Sequence, residues 1–164
     1  MQNCVKLWSL CFVLLAVPAA RAVSQPCPWL NAATAAGVLG GPVAVSVTYV
    51  NQDNTDGACE FTTKGSPAMR TLRIEVETMK DLAHDFPRYL AKCGQDAQAL
   101  KAIGNEAVMC AVPRKNGRLA EQVVSRVRER AFTVAVVSSG STVERDMSRD
   151  KARRIAEQVA GFLF

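Results

Sequence analysis

The clearest pattern of hydrophobic and polar positions lies near the middle of the chain. From Leu72 to Glu77, aliphatic and charged residues alternate one by one. Successive side chains of a β-strand point to opposite faces, so a period of two separates the aliphatic residues from the charged ones. The pattern predicts a strand with one buried face and one face in water.

Five other segments have strand composition, because β-branched and aromatic residues are concentrated between polar or glycine-containing turns. A tight reversal near Glu129 and Arg130 joins the last two, and a Ser/Gly/Thr loop is expected over residues 138–142. The six expected strands cover residues 43–50, 58–63, 72–77, 108–112, 119–128 and 131–139.

Three segments carry helix signals. Asn31 can accept a hydrogen bond from a free backbone N–H, and Gly40 can take a left-handed conformation, so a short helix is expected between them. Residues 81–93 place apolar side chains on one side at helical spacing, with Pro87 as a point of division or kinking. Residues 147–164 repeat apolar positions at the same spacing and predict an amphipathic helix.

The first 22 residues have the three-part pattern of a cleavable secretory signal. One lysine precedes an apolar run from Leu7 to Val17, followed by Pro18 and an Ala-Arg-Ala cleavage motif at 20–22. The run has about 11 residues and a membrane-spanning helix needs roughly 20, so no transmembrane anchor is expected. Neither Cys11 nor Cys27 follows a lipoprotein motif, so no lipid anchor is expected. The chain is predicted to be exported, either periplasmic or secreted.

Four of the six cysteines lie beyond the signal. An even number in an exported chain indicates disulfides. Three pairings are possible, and sequence order favours Cys27–Cys59 and Cys93–Cys110, because these loops are short and leave the two halves separate. A redox or metal site is the alternative, but the chain lacks a C-x-x-C motif and has one histidine, His84. We therefore expect no metal and no cofactor.

Removing the signal leaves 142 of 164 residues, which suits one substantial core. We expect residues 23–164 to form a single disulfide-stapled domain. Short turns between strands imply an antiparallel sheet, and the grouping of the helices implies the α+β class. The predicted order is α-β-β-β-α-β-β-β-α, with about six strands flanked by helices.

The net charge of the mature chain is small. Of 20 basic residues, Lys6 and Arg21 leave with the signal, so 18 remain against 15 acidic residues, a balance of +3. The charges are mixed and form no basic run, so we expect no nucleic-acid partner.

Few residues are candidates for catalysis or ligand binding. Glu75 and Glu77 could serve as an acid–base pair, but a solvated strand face explains them better, and His84 has the character of a surface or helix-cap residue. We therefore expect no catalytic residue. The weak binding candidates are three basic residues of the last hairpin and one aromatic residue beside Cys27. The basic residues either face an anionic partner or membrane, or are charges that keep a strand edge soluble. The aromatic residue either packs over the disulfide or anchors a ligand. The four candidates are Arg126, Arg128, Arg130 and Trp29.

Several short motifs occur together. They are Pro-Cys-Pro-Trp-Leu at 26–30, Val-Leu-Gly-Gly-Pro at 38–42, Cys-Glu-Phe at 59–61, Ile-Gly-Asn-Glu-Ala at 103–107 and Ala-Glu-Gln-Val-Ala at 156–160. Together they resemble the small exported proteins of unknown function typified by actinobacterial lipoproteins. The resemblance implies a PsbP-like or LpqN-like α/β/α sandwich and a Cys27–Cys59 pair. It supplies no catalytic residues, and this chain lacks the lipid-attachment motif of the lipoprotein members.

Two functions follow from these observations, beside a third possibility of a purely structural component of the envelope. The first is a non-catalytic exported domain that binds a protein or envelope ligand through one face of the sheet. The resemblance favours this function by analogy, because PsbP-like folds are generally accessory or interaction modules. The alternative is a periplasmic enzyme, either a hydrolase or a thiol-redox protein. The partner itself is not named by the sequence.

Overall fold

The computed structural model describes residues 26–65, 69–114, 118–138 and 141–164. The predicted signal, residues 1–22, lies outside the described residues. Within those ranges the chain forms three helices, seven strands and one 3₁₀ turn at Gly94–Asp96. In chain order the helices and strands are α1 (Ala32–Leu39), β1 (Val43–Val50), β2 (Gly57–Thr63), β3 (Thr71–Thr78), α2 (Leu82–Ala91), β4 (Gln98–Leu100), β5 (Glu106–Pro113), β6 (Leu119–Val127), β7 (Arg130–Ser138) and α3 (Thr142–Leu163).

The seven described strands form one sheet in the order β1-β2-β3-β7-β6-β5-β4, and every neighbouring pair is antiparallel. Strands β3 and β7 pair in the centre, so the first three strands and the last four are joined into one sheet. The chain is therefore an α+β protein with an antiparallel sheet, as the sequence predicts.

The strand count and order differ from the prediction of about six strands. The additional strand is β4, in a segment where the sequence pattern predicts no strand. Three residues are too few to display a period of two, so the strand has no sequence signature. The strand forms because Gln98 and Leu100 pair with Met109 and Ala107 of β5. This pairing is a tertiary interaction and leaves no local pattern in the sequence.

The helix boundaries depend on capping. Asn31 accepts from the backbone N–H of Thr34 at 2.8 Å, and Gly40 has a φ of 79°, so the predicted limits of α1 are confirmed. Helix α2 continues through Pro87, which costs one backbone hydrogen bond but does not divide the helix. Helix α3 begins at Thr142, five residues before the predicted start, because the Ser141 hydroxyl caps a polar first turn that has no apolar stripe.

Helices α1 and α3 cover one face of the sheet, which we call the helix-covered face. The main core lies there, with aromatic and aliphatic side chains from the central strands fully buried. Its fully buried members include Phe61, Leu72, Ile74, Phe132 and Ile155.

Helix α3 is also held by charge. The Glu121 side chain on β6 is 1% exposed, and its carboxylate lies 3.2 Å from Nε of Arg145 and 3.9 Å from Nε of Arg149. A buried carboxylate is tolerated when such partners surround it, so these contacts fix the helix over the sheet.

Among the described helices, none is both long enough and apolar enough to span a bilayer.

Candidate functional site

The second face of the sheet is covered at one end only. Helix α2 packs there through Phe86, with Tyr89 and Leu90 beside it, against Val124 and Ala131 of the sheet. The Cys93–Cys110 pair joins the end of this helix to β5. The rest of this face carries no helix in the described residues, so the part over β3, β7 and β6 is left open.

Two cavities of about 400 and 490 Å³ lie on this open part and share Arg73, Arg114 and Ala135. We call them together the open-face groove. The first is also lined by Glu75, Lys92, Val112, Gln122 and Thr133, and the second by Glu60, Met69, Thr71, Arg118 and Val137.

Small side chains make the groove concave. Strand β7 runs through the centre of the sheet and presents Thr133 and Ala135 to this face, opposite Glu75 and Arg73 of β3. Because strand side chains alternate, the large residues of β7 point into the core and the small ones form the groove floor. Long charged side chains from the neighbouring elements extend beyond these small residues and form the walls of the groove.

Arg73 is held across the groove by two glutamates. Its guanidinium lies 2.6 Å from Glu75 and 3.9 Å from Glu60, and its Nε donates to Glu75 at 2.8 Å. All three side chains are between about a third and a half exposed. These pairs fix the direction of Arg73 more than they add to stability, since exposed ion pairs are worth little.

The hairpin between β5 and β6 supplies two further cations. The Arg114 N–H donates to the Arg118 carbonyl at 2.8 Å, which closes the base of the hairpin. Arg118 also donates from Nη2 to the Met69 carbonyl at 2.8 Å, so it ties this hairpin to the β2–β3 connection. The Arg114 side chain is exposed at the groove wall.

The fourth cation is Lys92, at the end of α2. Its Nζ lies 4.6 Å from the centre of the Tyr89 ring, within range of a cation–π contact. Among the described residues, the groove thus has four cationic side chains against the two carboxylates of Glu60 and Glu75, and both carboxylates are paired with Arg73.

A separate cavity of about 420 Å³ lies beside α2 and is polar. At its wall the Tyr89 hydroxyl donates to the Glu77 carboxylate. Burial of the phenol, assisted by this carboxylate, raises the pKa of Tyr89 above its ordinary value. Burial and Glu77 also raise the pKa of Tyr49.

Asp85 lies at the same cavity. The Asp81 backbone N–H, which donates to its carboxylate at 3.0 Å, lowers the pKa of Asp85, and Arg88 adds to the effect. These contacts hold the first turn of α2 in place.

Trp29 does not form an exposed anchor. It is 3% exposed and belongs to the main core with Cys27 and Cys59. The indole Nε1 is buried without a hydrogen-bond partner among the described residues. Trp29 is therefore a core residue, which favours the packing interpretation over a ligand anchor.

The three arginines of the last hairpin do not share a surface. Arg126 lies on the α2 side of β6, 5.6 Å from the Phe86 ring centre and 3.5 Å from Glu106. Arg128 is in the turn with a φ of 54°, and Arg130 is directed to the opposite side from Arg126 by strand alternation. They are dispersed because the hairpin reverses between them.

The candidate catalytic residues are also separated. His84 is 83% exposed on α2, with its Nδ1 2.7 Å from Asp81, the residue that caps this helix. Glu75 pairs with Arg73, while Glu77 accepts from Tyr89 at the α2 cavity. No cluster of three or more His, Cys, Asp or Glu residues suited to a metal ion occurs among the described residues.

The four cysteines of the described chain form two pairs at disulfide distance. The Cα–Cα distances are 5.8 Å for Cys27–Cys59 and 5.3 Å for Cys93–Cys110, both within the usual range for a disulfide. The first pair ties the segment before α1 to β2 in the main core, and the second ties α2 to β5.

Sequence reasoning missed the cations of the groove. The turn at residues 113–117 is visibly basic, which was the available signal for Arg114 and its neighbourhood. Arg73 was assigned to a solvated strand face, and nothing in the linear pattern shows that β7 would lie beside it.

Comparisons with known proteins identify no relative. No family model matches the chain, and neither curated proteins nor solved structures give a significant match.

Proposed function

We propose that this chain is an exported, non-catalytic binding module whose ligand occupies the open-face groove. The observation that carries the proposal is the unequal covering of the sheet: a face that α2 covers at one end only, with cations above a floor of small residues. A sheet face buried for stability alone would be covered by apolar contacts, as the helix-covered face is.

The charge of the groove favours an acidic polypeptide segment as the ligand. Arg114, Arg118 and Lys92 have no carboxylate partner among the described ion pairs, whereas Arg73 is already paired. Arginine guanidinium groups bind carboxylates in bidentate geometry.

The acidic side chains of the groove favour a peptide over a polyanion. Glu60 and Glu75 lie within the groove, where a uniformly negative surface such as an anionic membrane would meet like charges. A polypeptide can place acidic side chains beside Arg114 and Arg118 and leave its neutral backbone over the glutamates. An extended segment also suits an open channel across several strands.

Two features support the exported, accessory role. The N-terminal signal pattern and two cysteine pairs at disulfide distance are compatible with an oxidising compartment. We also propose that the resemblance to PsbP-like and LpqN-like exported proteins reflects kinship, since such domains are generally accessory or interaction modules.

Site-specific photocrosslinking in the native host tests the proposal. A photoreactive amino acid replaces Thr71 at the groove edge in one variant and Arg154 on the exposed side of α3 in a control variant. Crosslinked peptides are then identified by mass spectrometry. We expect the groove position to give a defined adduct to an acidic segment and the control position to give none of it.

The charge-reversed variant Arg114→Glu/Arg118→Glu sharpens the result. The adduct at the groove position is expected to disappear in this background, since the cations that attract the segment are reversed. Equal adducts from both positions, or an adduct that survives charge reversal, would contradict an acidic ligand in the groove. An adduct made only to lipid would indicate that the groove binds a membrane surface and not a peptide.

A further inference from the structure

The outermost strand on one side of the described sheet belongs to a sequence segment without charged residues. No residue between Arg21 and Asp53 is charged, in a chain with 21% charged residues. The described part of this segment forms α1 and β1, and β1 is the outermost strand on its side of the sheet. Over Val43–Val47 this edge therefore presents backbone groups with small or aliphatic side chains.

The core-facing valines of β1 are incompletely buried. Val43, Val45 and Val47 pack against the main core but stay partly exposed, whereas Phe61 and Leu72 on the next two strands are fully buried. The difference arises because no further strand lies beyond β1 in the described residues. Burying the remaining apolar area would be favourable.

The outward backbone groups of β1 belong to the same valines. The Pro42 carbonyl accepts from the Lys64 N–H at 2.8 Å, which sets the alternation of the β1–β2 ladder. In an antiparallel pair, residues alternate between those that bond to the partner strand and those whose N–H and C=O point away. Val43, Val45 and Val47 occupy the second kind of position.

The two edges of the sheet are protected differently. The opposite edge ends in β4, which has three residues, and short edge strands limit pairing with other chains. Strand β1 has eight residues without lysine or proline, and its protection is a register shift between Val47 and Tyr49. The regular stretch Val43–Val47 therefore stays available for pairing with a strand of another chain.

We propose that β1 is a self-association edge, where a second copy of this chain pairs antiparallel with it about a two-fold axis at Val45. Val45 then lies opposite Val45 of the second copy, and Val43 lies opposite Val47 of the second copy. Each pair exchanges its outward backbone hydrogen bonds, and the partly exposed valines cover one another. The two sheets become one continuous sheet.

The absence of charge favours a second copy as the occupant. A two-fold axis at Val45 sets this residue against its own copy, so a charge at the centre of the pair would meet a like charge. The stretch Val43–Val47 has none. A partner recognised by charge would find nothing complementary there. The inference goes beyond the proposed ligand binding and does not depend on it.

The test is the molar mass of the purified, disulfide-bonded protein by light scattering over a range of concentrations. The wild type is expected to reach twice the chain mass, and Val45→Lys to remain at the chain mass at the same concentrations. Val45→Thr, which keeps the shape and adds no charge, and Ala99→Lys on the opposite edge should both still dimerise.

Hydrogen exchange locates the contact. The backbone amides of Val43 and Val47 are expected to be protected at concentrations where the wild type is dimeric and to exchange rapidly in Val45→Lys. Near-ultraviolet circular dichroism checks that this variant is folded, and Val47→Lys serves as the second variant if it is not. A wild type that stays at the chain mass at millimolar concentration would overturn the proposal, as would a dimer that survives both lysine variants.

Discussion

Removing the two cysteine pairs should destabilise the protein by different amounts. A crosslink lowers the entropy of the unfolded chain according to the number of residues it spans. The pairs are separated by 32 and 17 residues. The loop-closure relation then gives about 3.7 kcal/mol for Cys27–Cys59 and about 3.1 kcal/mol for Cys93–Cys110. Each value is a large part of the roughly 5–15 kcal/mol that stabilises a typical domain.

Double cysteine-to-alanine variants remove one pair without leaving a free thiol. The free energy of unfolding is measured by urea denaturation with linear extrapolation. Hydrogen exchange adds a local readout: loss of Cys93–Cys110 should expose the amides of α2, residues 82–91, while loss of Cys27–Cys59 should expose α1. The second effect follows because Cys59 is fully buried beneath the segment that leads into α1.

Two results would refute this reasoning. Titratable thiols in the native wild-type protein would mean that the pairs are not stable crosslinks, and would reopen the thiol-redox alternative. Losses below about 1 kcal/mol for both variants would mean that the unfolded chain is not restricted by the crosslinks.

Three further predictions concern single positions. Gly104→Ala should lower the free energy of unfolding by about 1–3 kcal/mol more than Gly94→Ala, because both residues have positive φ but only at Gly104 would a Cβ collide with neighbouring backbone. Asp85→Asn should remove stability that is present at neutral pH; since the folded pKa of Asp85 is lowered, the wild type should lose this advantage as the pH falls through that pKa. Glu77→Gln should lower the pKa of Tyr89 towards its ordinary value of about 10, because the charged hydrogen-bond acceptor is removed.

Each of these predictions has its own measurement. Urea denaturation compares the glycine variants, and equal losses at both would count against steric crowding. Denaturation at several pH values tests Asp85, where a stability gap that does not change with pH would be the contrary result. Alkaline ultraviolet titration tests Tyr89 in a Tyr49→Phe background, which leaves one tyrosine of the two in the chain. An unchanged titration in Glu77→Gln would show that the carboxylate does not raise the pKa.

The fold class could be predicted from the sequence because its signals are local. Alternation marks β3, and the cap residues Asn31 and Gly40 mark α1. The elements that escaped prediction depend on distant contacts or on a single cap. Strand β4 exists through its pairing with β5, and the first turn of α3 rests on Ser141.

The candidate site was harder to predict because it is assembled across the sheet. The β3–β7 pairing brings Arg73 beside Ala135 from a distant part of the chain, and Arg118 reaches Met69 through a hydrogen bond between two connections. Neither contact can be predicted from the spacing of residues along the sequence. The arginines of the last hairpin were binding candidates because they are close in sequence, but the turn at Arg128 directs them apart.

If the open-face groove is the binding site, its cations should determine the affinity for an acidic segment. Isothermal titration of the crosslinked segment, made as a synthetic peptide, should compare the wild type with Arg114→Glu/Arg118→Glu and with Arg154→Glu on α3. We predict a loss of roughly 100-fold or more in affinity for the groove variant, since reversing two charges removes attraction and adds repulsion, and wild-type affinity for the α3 variant. Equal affinity for all three proteins would contradict the assignment of the open-face groove as the binding site.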